Sequence, residues 1–272
     1  MICFPNCKIN LGLYITEKRP DSYHNIETLF YPVPLCDVLE INEGNKNEFT
    51  VTGIDIPGGY ESNLVIKAYE ILRAKFKLPF IRVHLHKVIP TGAGLGGGSS
   101  NAAFMIKLLD EFFSLNLSKE QMQDVAGLLG SDCSFFIENK PVFATNKGDV
   151  FENVDLDLGA YSLLLVKPDV HISTPYAYSL AQPHKASFNL KNIDILKINE
   201  WKANIENDFE KPVFALHPEL KLIKEKLYNM GALYASLSGS GSAIYGLFKE
   251  EVDVEGLFTN CFIWQGKLNQ GK

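Results

Sequence analysis

The glycine-rich stretch Pro90-Thr-Gly-Ala-Gly-Leu-Gly-Gly-Gly-Ser-Ser-Asn-Ala-Ala103 is the most informative part of this sequence. Glycines let the backbone approach a bulky anion, and consecutive N–H groups then form an anion-binding nest. Residues 101–113 predict a buried helix whose positive end faces the same anion. Because Ser99 and Ser100 lie where hydroxyls reach a phosphate oxygen or a magnesium ion, the stretch predicts a polyphosphate site. A flexible linker or a tight turn is the alternative.

Two better-known nucleotide motifs do not fit this stretch. Gly92-x-Gly94-x-x-Gly97 matches the dinucleotide fingerprint, but the preceding strand is amphipathic and Asp110 and Glu111 come too early for the ribose-binding acid. No Lys-Ser or Lys-Thr follows the glycines, which excludes a Walker A loop. The protein-kinase motifs His-Arg-Asp and Asp-Phe-Gly do not occur in the sequence.

Composition narrows the class of protein further. The chain has 272 residues, a hydrophobic fraction of 46% and a formal net charge of −6. This length suits two domains, and the acidic balance argues against a nucleic-acid binder but not against ATP. The odd number of cysteines, without a C-x-x-C pair, argues against a disulfide framework or a zinc site. The sequence shows no signal peptide and no apolar run of membrane-spanning length, so a cytoplasmic protein is expected.

Hydrophobic periodicity predicts two α+β domains that meet near residue 150. A strand over 7–15 puts Lys8 and Asn10 on one face. Helices are predicted over 63–76, 101–113, 118–130 and 218–230, and further strands over 38–41, 48–51, 80–88, 161–167, 234–237 and 243–248. Residues 184–199 are predicted to form a polar excursion on the surface.

Two more blocks flank the glycine-rich stretch in a set order. They are Pro5-Asn-Cys-Lys-Ile-Asn10 and Leu237-Ser-Gly-Ser-Gly-Ser-Ala243, the second of which alone would be a hairpin turn. From about Pro5 to Phe248 the three blocks resemble the signature of GHMP kinases. This resemblance implies an ATP-binding N-terminal domain (1–150) similar to the second domain of ribosomal protein S5. It implies a ferredoxin-like C-terminal domain (151–272), with the acceptor in the cleft between the two.

Within the GHMP superfamily the sequence most resembles the 4-diphosphocytidyl-2-C-methyl-D-erythritol kinases. The supporting blocks are Arg19-Pro-Asp-Ser-Tyr-His-Asn-Ile-Glu-Thr-Leu-Phe30 and Leu129-Gly-Ser-Asp-Cys-Ser-Phe-Phe136. The resemblance implies ATP-dependent phosphorylation of the 2-hydroxyl of that cytidine compound, in the non-mevalonate (methylerythritol phosphate) pathway to isoprenoid precursors. Cys7 departs from the Ala that is common in the family, and Ser131 and Cys133 are similar small-for-small changes.

The same resemblance implies roles for individual residues. Asp132 would accept or orient the proton of the acceptor hydroxyl, and Lys8 would contact Asp132 and the migrating phosphoryl group. On spacing alone, Asp132 would be a helix N-cap and Lys8 part of a solvated strand face. The residues predicted to bind ATP are Lys87 (beside the adenine), Pro90, Thr91, Gly92, Ala93, Gly94, Leu95, Gly96, Gly97, Gly98, Ser99 and Ser100. No metal-ligand set is predicted, and Mg²⁺ would arrive with ATP and meet Ser99 or Ser100.

The acceptor would be held by a separate set of residues. Asn10 would hydrogen-bond it, Tyr23 and His24 would recognise cytosine, Tyr178 would supply a second stacking ring and Thr174 would lie near the diphosphate. Gly239, Ser240 and Gly241 would close around phosphates. An incidental aromatic residue on a surface loop is the alternative for Tyr23.

Three rival functions stay open at the level of sequence. The first is another GHMP kinase, acting on mevalonate, homoserine or a sugar, against which the run Asp21-Ser-Tyr-His24 speaks. The second is a catalytically inactive regulator, against which the presence of both Lys8 and Asp132 speaks. The third is an RNA-binding module, which the acidic balance disfavours. The expected partner is a small-molecule substrate, with no nucleic acid and no membrane, for a chain that is a monomer or a homodimer.

Overall fold

The computed structural model describes residues 1–56 and 58–268 and divides the chain into two compact units. The first unit contains residues 1–8, 35–91 and 96–140, and the second contains residues 9–34, 92–95 and those from 141 onward. Each unit combines helices with sheet, which confirms the α+β class. The predicted division near residue 150 stays a prediction.

The described residues form the following elements. The strands are β1 (Ile2–Cys3), β2 (Asn6–Lys18), β3 (His24–Cys36), β4 (Val38–Glu43), β5 (Glu48–Gly53), β6 (Ile81–Lys87), β7 (Val142–Thr145), β8 (Val150–Asn153), β9 (Ser162–Pro168), β10 (Tyr234–Leu237), β11 (Ile244–Phe248) and β12 (Cys261–Lys267). The α-helices are α1 (Leu64–Phe76), α2 (Gly97–Phe113), α3 (Lys119–Leu129), α4 (Phe135–Glu138), α5 (Thr174–Ser179), α6 (Trp201–Asn204), α7 (Glu210–Leu216) and α8 (Pro218–Asn229). Short 3₁₀ helices cover Tyr60–Ser62, Leu190–Ile195 and Ile198–Glu200.

The first unit is built on a four-stranded sheet in the order β1-β4-β6-β5. Its strands β5 and β6 run parallel, and α1 lies between them in the chain. The alternation predicted for β6 is confirmed, because Ile81, Val83 and Leu85 are buried while the residues between them face solvent. The helix predicted over 118–130 is also present as α3, and it begins with a capping box in which Ser118 and Gln121 each bond the backbone of the other.

Helix α2 begins earlier than the sequence predicts. It starts at Gly97, so the last glycines of the loop and both serines are helical rather than part of an irregular loop. Gly96 caps the helix in the left-handed conformation, with φ of 67°. The helix is buried over most of its length, as its apolar composition predicts. Its N-terminal N–H groups therefore lie within the glycine-rich stretch itself.

The second unit contains two sheets. One has the order β2-β3-β7-β8, and the other is antiparallel with the order β10-β11-β9-β12. In this second sheet, β9 is the first of the four strands along the chain, and it lies between β11 and β12, the third and the fourth. This is the strand order of a ferredoxin-like domain. Residues 249–260, where the second crossover helix of that motif would lie, contain turns instead. The core between this sheet and its helices includes Leu164, Ile244, Leu220 and Leu227.

Two predictions about polar segments are wrong in detail. Strand β2 is buried from Asn6 to Ile15, so its polar face is not solvated. The stretch over 184–199 is only partly a surface excursion, because Leu190 and Ile193 are fully buried. Leu190 packs closely against Gly12 of β2, since a Cβ at position 12 would lie 2.8 Å from the Leu190 side chain. A side chain larger than glycine would push this segment away from the strand.

Candidate active site

In the first unit, Lys8 and Asp132 form an ion pair. Strand β2 carries Lys8, and the turn between α3 and α4 carries Asp132. The distance from Lys8 Nζ to Asp132 Oδ2 is 3.5 Å. The Lys8 side chain is almost fully buried, whereas that of Asp132 is 31% exposed, so the carboxylate faces solvent and the ammonium approaches it from the protein side. Residues separated by more than a hundred positions are thus brought into contact.

The glycine-rich stretch has the backbone geometry expected of an anion nest. Gly92, Gly94 and Gly96 all have positive φ, at 60°, 76° and 67°, a conformation that L-residues with side chains rarely adopt. A Cβ on Gly96 would lie 3.2 Å from the Lys8 side chain, so the end of the loop and the ion pair are neighbours. The Ser100 hydroxyl is buried and lacks a hydrogen-bond partner among the described residues. A buried hydroxyl of this kind can bond a phosphate oxygen, a water molecule or an ion.

Ser99 and Cys133 connect the loop to the turn that carries Asp132. A hydrogen bond joins the two side chains, and it opposes the burial that raises the pKa of the Cys133 thiol to about 11. At that pKa the thiol stays protonated at neutral pH and behaves as a small buried side chain. Cys133 therefore adds no charge beside Asp132.

Lys87 does not present its ammonium to solvent. Its side chain is 2% exposed and its Nζ lies 2.5 Å from Asp37 Oδ2. Burial lowers the pKa of Lys87, and the charge of Asp37 opposes that shift. Asp37 accompanies no sequence motif, and sequence reasoning missed it. The only hint in the sequence is an acidic residue directly before the strand predicted over 38–41.

In the second unit, the first half of the glycine-rich stretch contacts the other glycine-rich segment. Ser238 Oγ donates to the Gly94 carbonyl at 2.9 Å, and the Ala243 N–H donates to the Ala93 carbonyl at 3.1 Å. A Cβ on Gly94 would lie 1.9 Å from the Ser238 carbonyl oxygen. The close approach of these two backbones therefore requires glycine at position 94.

Asn10 lies beside the same glycine-rich segment. It is 1% exposed, its Nδ2 donates to Thr28 Oγ1 at 2.9 Å, and its backbone N–H donates to Ser238 Oγ at 3.3 Å. A second buried amide, Asn207, was not predicted from the sequence. Its Nδ2 donates to the carbonyls of Leu237 and Gly239, both at 2.9 Å, and so fixes the entrance to the segment.

Two of the predicted base-recognition residues, His24 and Tyr178, form an aromatic stack in the second unit. The rings of His24 and Tyr178 stack with centroids 5.1 Å apart, and Tyr178 packs edge-on against Phe209. Burial, followed by the charge of Lys18, lowers the pKa of His24, which favours its neutral form. Tyr23 is 61% exposed. An exposed aromatic ring is a surface on which a planar base can lie.

Thr174 and Ser240 are also brought together in the second unit. Thr174 opens helix α5, and Ser240 lies in the middle of the segment Gly239 to Gly241. Their hydroxyl oxygens are 3.1 Å apart, and either can donate to the other. A pair of hydroxyls beside glycine backbone offers hydrogen bonds to phosphate oxygens. Within the part of the chain that the structure describes, His, Cys, Asp and Glu side chains form no cluster of three suited to a metal ion.

Comparison with known proteins identifies the family. The models of the GHMP kinases N terminal domain and the GHMP kinases C terminal domain match residues 63–139 and 189–260. Proteins named 4-diphosphocytidyl-2-C-methyl-D-erythritol kinase from Parabacteroides distasonis and Porphyromonas gingivalis are 51% and 47% identical to this chain. The first alignment covers 99% of this chain and 100% of its relative, and the second covers 97% and 98%. This chain belongs to the 4-diphosphocytidyl-2-C-methyl-D-erythritol kinase family of GHMP kinases.

Solved structures agree with this membership. A crystal structure of 4-(cytidine 5'-diphospho)-2C-methyl-D-erythritol kinase superposes with a TM-score of 0.79 at 29% identity, over 91% of this chain and 90% of that one. A crystal structure of mevalonate kinase gives a TM-score of 0.74 at 15% identity over 97% and 98% of the two chains, which shows the shared fold alone. The predicted superfamily, fold class and kinase activity are confirmed.

As a member of the GHMP kinases, this chain is an ATP-dependent kinase with a small-molecule substrate. Every helix in residues 1–56 and 58–268 is too short or too polar to span a lipid bilayer.

Proposed function

We propose that this chain transfers the γ-phosphoryl group of ATP to the 2-hydroxyl of 4-diphosphocytidyl-2-C-methyl-D-erythritol, in the non-mevalonate pathway to isoprenoid precursors. The observation that carries the proposal is the ion pair between Lys8 and Asp132, placed next to the end of a glycine nest. The names of relatives about 50% identical over nearly the whole chain supply the acceptor. We also propose that the enzyme works in the cytoplasm as a monomer or a homodimer.

Asp132 and Lys8 divide the reaction between them. Asp132 orients the acceptor hydroxyl and takes its proton as the hydroxyl oxygen bonds to the γ-phosphorus and the bond to the ADP oxygen breaks. Lys8 holds the Asp132 carboxylate in place through their ion pair and stabilises the negative charge on the phosphoryl oxygens. The transition state of phosphoryl transfer is loose, so positioning and electrostatic stabilisation account for most of the catalysis.

ATP is proposed to bind at residues 90–100, with Lys87 buried at the base of this loop. The positive φ of three glycines and the N-terminus of the 17-residue helix α2 suit a polyphosphate chain. Mg²⁺ is proposed to accompany ATP and to neutralise charge on its phosphates. Ser100 fits this role through its buried hydroxyl, which lacks a partner among the described residues, and Ser99 is the alternative.

The acceptor is proposed to bind through residues of the second unit. Tyr23 offers an exposed ring for cytosine. The ring centroids of His24 and Tyr178 are only 5.1 Å apart, which is too close to admit a base between them. The two rings therefore offer one stacking surface, and they do not enclose the base from two sides. Thr174 and Ser240 are placed to bond the diphosphate, with Gly239 and Gly241 closing around phosphates and Asn10 bonding the acceptor.

A substrate panel tests the proposal. Purified protein is mixed with Mg-ATP and the cytidine compound, mevalonate, homoserine or galactose, and ADP release is followed. We expect turnover on the cytidine compound alone, lost in Asp132→Asn and retained in Asp124→Asn, which alters an exposed carboxylate on α3. Turnover on another alcohol would replace our acceptor with that alcohol. Nucleotide binding without turnover on any acceptor would point to a regulator instead.

A further inference from the structure

Asp37 is a fully buried carboxylate whose hydrogen-bonding capacity is completely used. It lies between β3 and β4, and its Oδ1 accepts the backbone N–H groups of Val88 at 2.7 Å and Ile89 at 2.8 Å. Its Oδ2 accepts Lys87 Nζ at 2.5 Å and Asn101 Nδ2 at 2.8 Å. Four donors are about the number that a carboxylate binds when it is fully satisfied.

The four donors lie at the two ends of the glycine-rich loop. Val88 and Ile89 are the last residues before Pro90, and Asn101 follows Ser100 in helix α2. One carboxylate therefore joins the chain that enters residues 90–100 to the helix that leaves them. Because glycines make this loop conformationally permissive, a tie between its ends restricts the shapes that it adopts.

Asp37 and its partner Lys87 also lie close to the start of helix α2. A Cβ on Gly97 would lie 2.9 Å from Lys87 Nζ, so the ammonium lies directly under the first residue of the helix. The backbone N–H of Asp37 donates to the Pro5 carbonyl at 2.9 Å, three residues before Lys8. Asp37 thus contacts both the loop that is proposed to bind ATP and the segment that leads to Lys8.

We propose that Asp37 is a positioning residue for nucleotide binding, which fixes the conformation of residues 90–100 through Lys87, Val88, Ile89 and Asn101. It does so without touching the nucleotide. Removing the carboxylate leaves the Lys87 ammonium buried without a counter-charge, and a buried charge in that state forces its surroundings to shift. The nearest groups that shift are the two ends of the loop. This inference rests on the proposed ATP site but not on the identity of the acceptor.

The test is a calorimetric titration that measures the affinity of the protein for a non-hydrolysable ATP analogue, with magnesium present and the acceptor absent. Asp37→Asn keeps the shape of the side chain but presents an amide donor to Lys87 and Asn101. We expect its affinity for the analogue to fall roughly 10- to 100-fold, the effect of a small displacement in a positioned site. The matched control is Asp110→Ala, which removes the carboxylate that accepts the Leu117 N–H at the other end of α2. Its affinity should change less than about twofold.

A structural role alone would give a different pattern. If Asp37→Asn lowers the unfolding temperature but binds the analogue within about twofold of wild type, well below that temperature, the proposal is overturned. If Asp37→Asn does not fold, Asn101→Ala decides, because it keeps the pair between Asp37 and Lys87 and removes one tie to α2. Unchanged affinity in Asn101→Ala would then overturn the proposal, and a several-fold loss would support it.

Steady-state kinetics separate this inference from the proposed function. In Asp37→Asn the KM for ATP should rise while the KM for the cytidine compound stays within about twofold of wild type. An equal rise of both would indicate a general disturbance and count against a role in nucleotide binding. A wild-type protein that binds the analogue but does not phosphorylate the cytidine compound refutes the acceptor, and the titration of Asp37→Asn still decides the role of Asp37.

Discussion

Replacing Lys8 with methionine isolates the contribution of one positive charge to catalysis. The position is 3% exposed, and methionine has a similar length, is flexible and is apolar, so it suits a buried site on β2. Asp132 keeps its partial exposure to water and is not left as a buried unpaired charge. We therefore expect Lys8→Met to fold and to bind nucleotide, and to fail at the chemical step.

The distance between the two charges sets the size of the effect. Coulomb's law gives about 5 kcal/mol for unit charges 3.5 Å apart at an effective dielectric constant of 20, and about 1 kcal/mol in water. The partial exposure of Asp132 places the attraction between these limits. By the same arithmetic, a phosphoryl group beside Lys8 would be attracted to it with an energy of the same order. Loss of a single preorganised group of this kind lowers kcat by about 10²–10³, or about 2.7–4 kcal/mol.

The assay is ADP release at saturating ATP and acceptor. Lys46→Met is the matched control, because Lys46 forms an ion pair of similar length with Glu48, at 3.3 Å, on an exposed loop. Exposed pairs contribute about 0–1 kcal/mol to stability, and this one lies in the loop between β4 and β5, so kcat should not change. A Lys8→Met enzyme with kcat within about threefold of wild type would refute the electrostatic role of Lys8.

Three further predictions concern stability. The hydrogen bond to Asp208 raises the pKa of His184, so the pair stabilises the fold below the ordinary histidine pKa and this contribution is lost as pH rises through the raised value. The difference in unfolding free energy between wild type and His184→Gln should be larger at about pH 5.5 than at about pH 8.5, and equal differences would contradict this. Gly94→Ala should destabilise by more than about 2 kcal/mol in urea unfolding, because its Cβ would lie 1.9 Å from a carbonyl oxygen. Gly98→Ala, whose Cβ would meet nothing closer than 4.0 Å, should be neutral or stabilising, and similar losses in both variants would exclude the steric explanation. Ser22 has a φ of 69°, a left-handed conformation that costs a residue with a side chain roughly 1–2 kcal/mol, whereas glycine loses about 0.5–1 kcal/mol more chain entropy on folding. Ser22→Gly should therefore raise the unfolding free energy by up to about 1 kcal/mol, and a decrease would show that the contacts of the serine side chain outweigh the strain.

Local patterns predicted the elements whose causes are local. Strand β6 alternates because one face is buried, and helix α3 begins where Ser118 and Gln121 close a capping box. Strand β3 was missed for an equally physical reason. It contains Pro32 and Pro34, which normally argue against a strand, and it is buried on both faces over much of its length, so it shows no alternation.

The candidate site was predictable only in part. Motifs named the residues, but their partners come from distant parts of the chain, as the pair of Lys8 with Asp132 illustrates. Spacing alone predicted a solvated position for Lys8. Alternation in a strand shows that one face is polar, but it does not show whether that polar face is buried or exposed to solvent. The resemblance to GHMP kinases gave the better expectation for this pair, and the 3.5 Å contact agrees with it.

The two residues that no motif marked show a common physical logic. Each glycine-rich segment has one buried polar side chain that bonds its flanking backbone, and the chemistry of that side chain matches the groups on offer. Val88 and Ile89 present N–H donors before the first segment, and the acidic Asp37 accepts them. Leu237 and Gly239 present carbonyls, and the amide of Asn207 donates to both. Glycine-rich loops lose much conformational entropy on folding. A buried side chain that hydrogen-bonds the backbone groups at the ends of such a loop offsets part of this entropy loss. An amide at position 37 would turn its NH₂ group toward the donors Lys87 and Asn101. A carboxylate at position 207 would face the carbonyl oxygens of Leu237 and Gly239, so the two side chains cannot be interchanged.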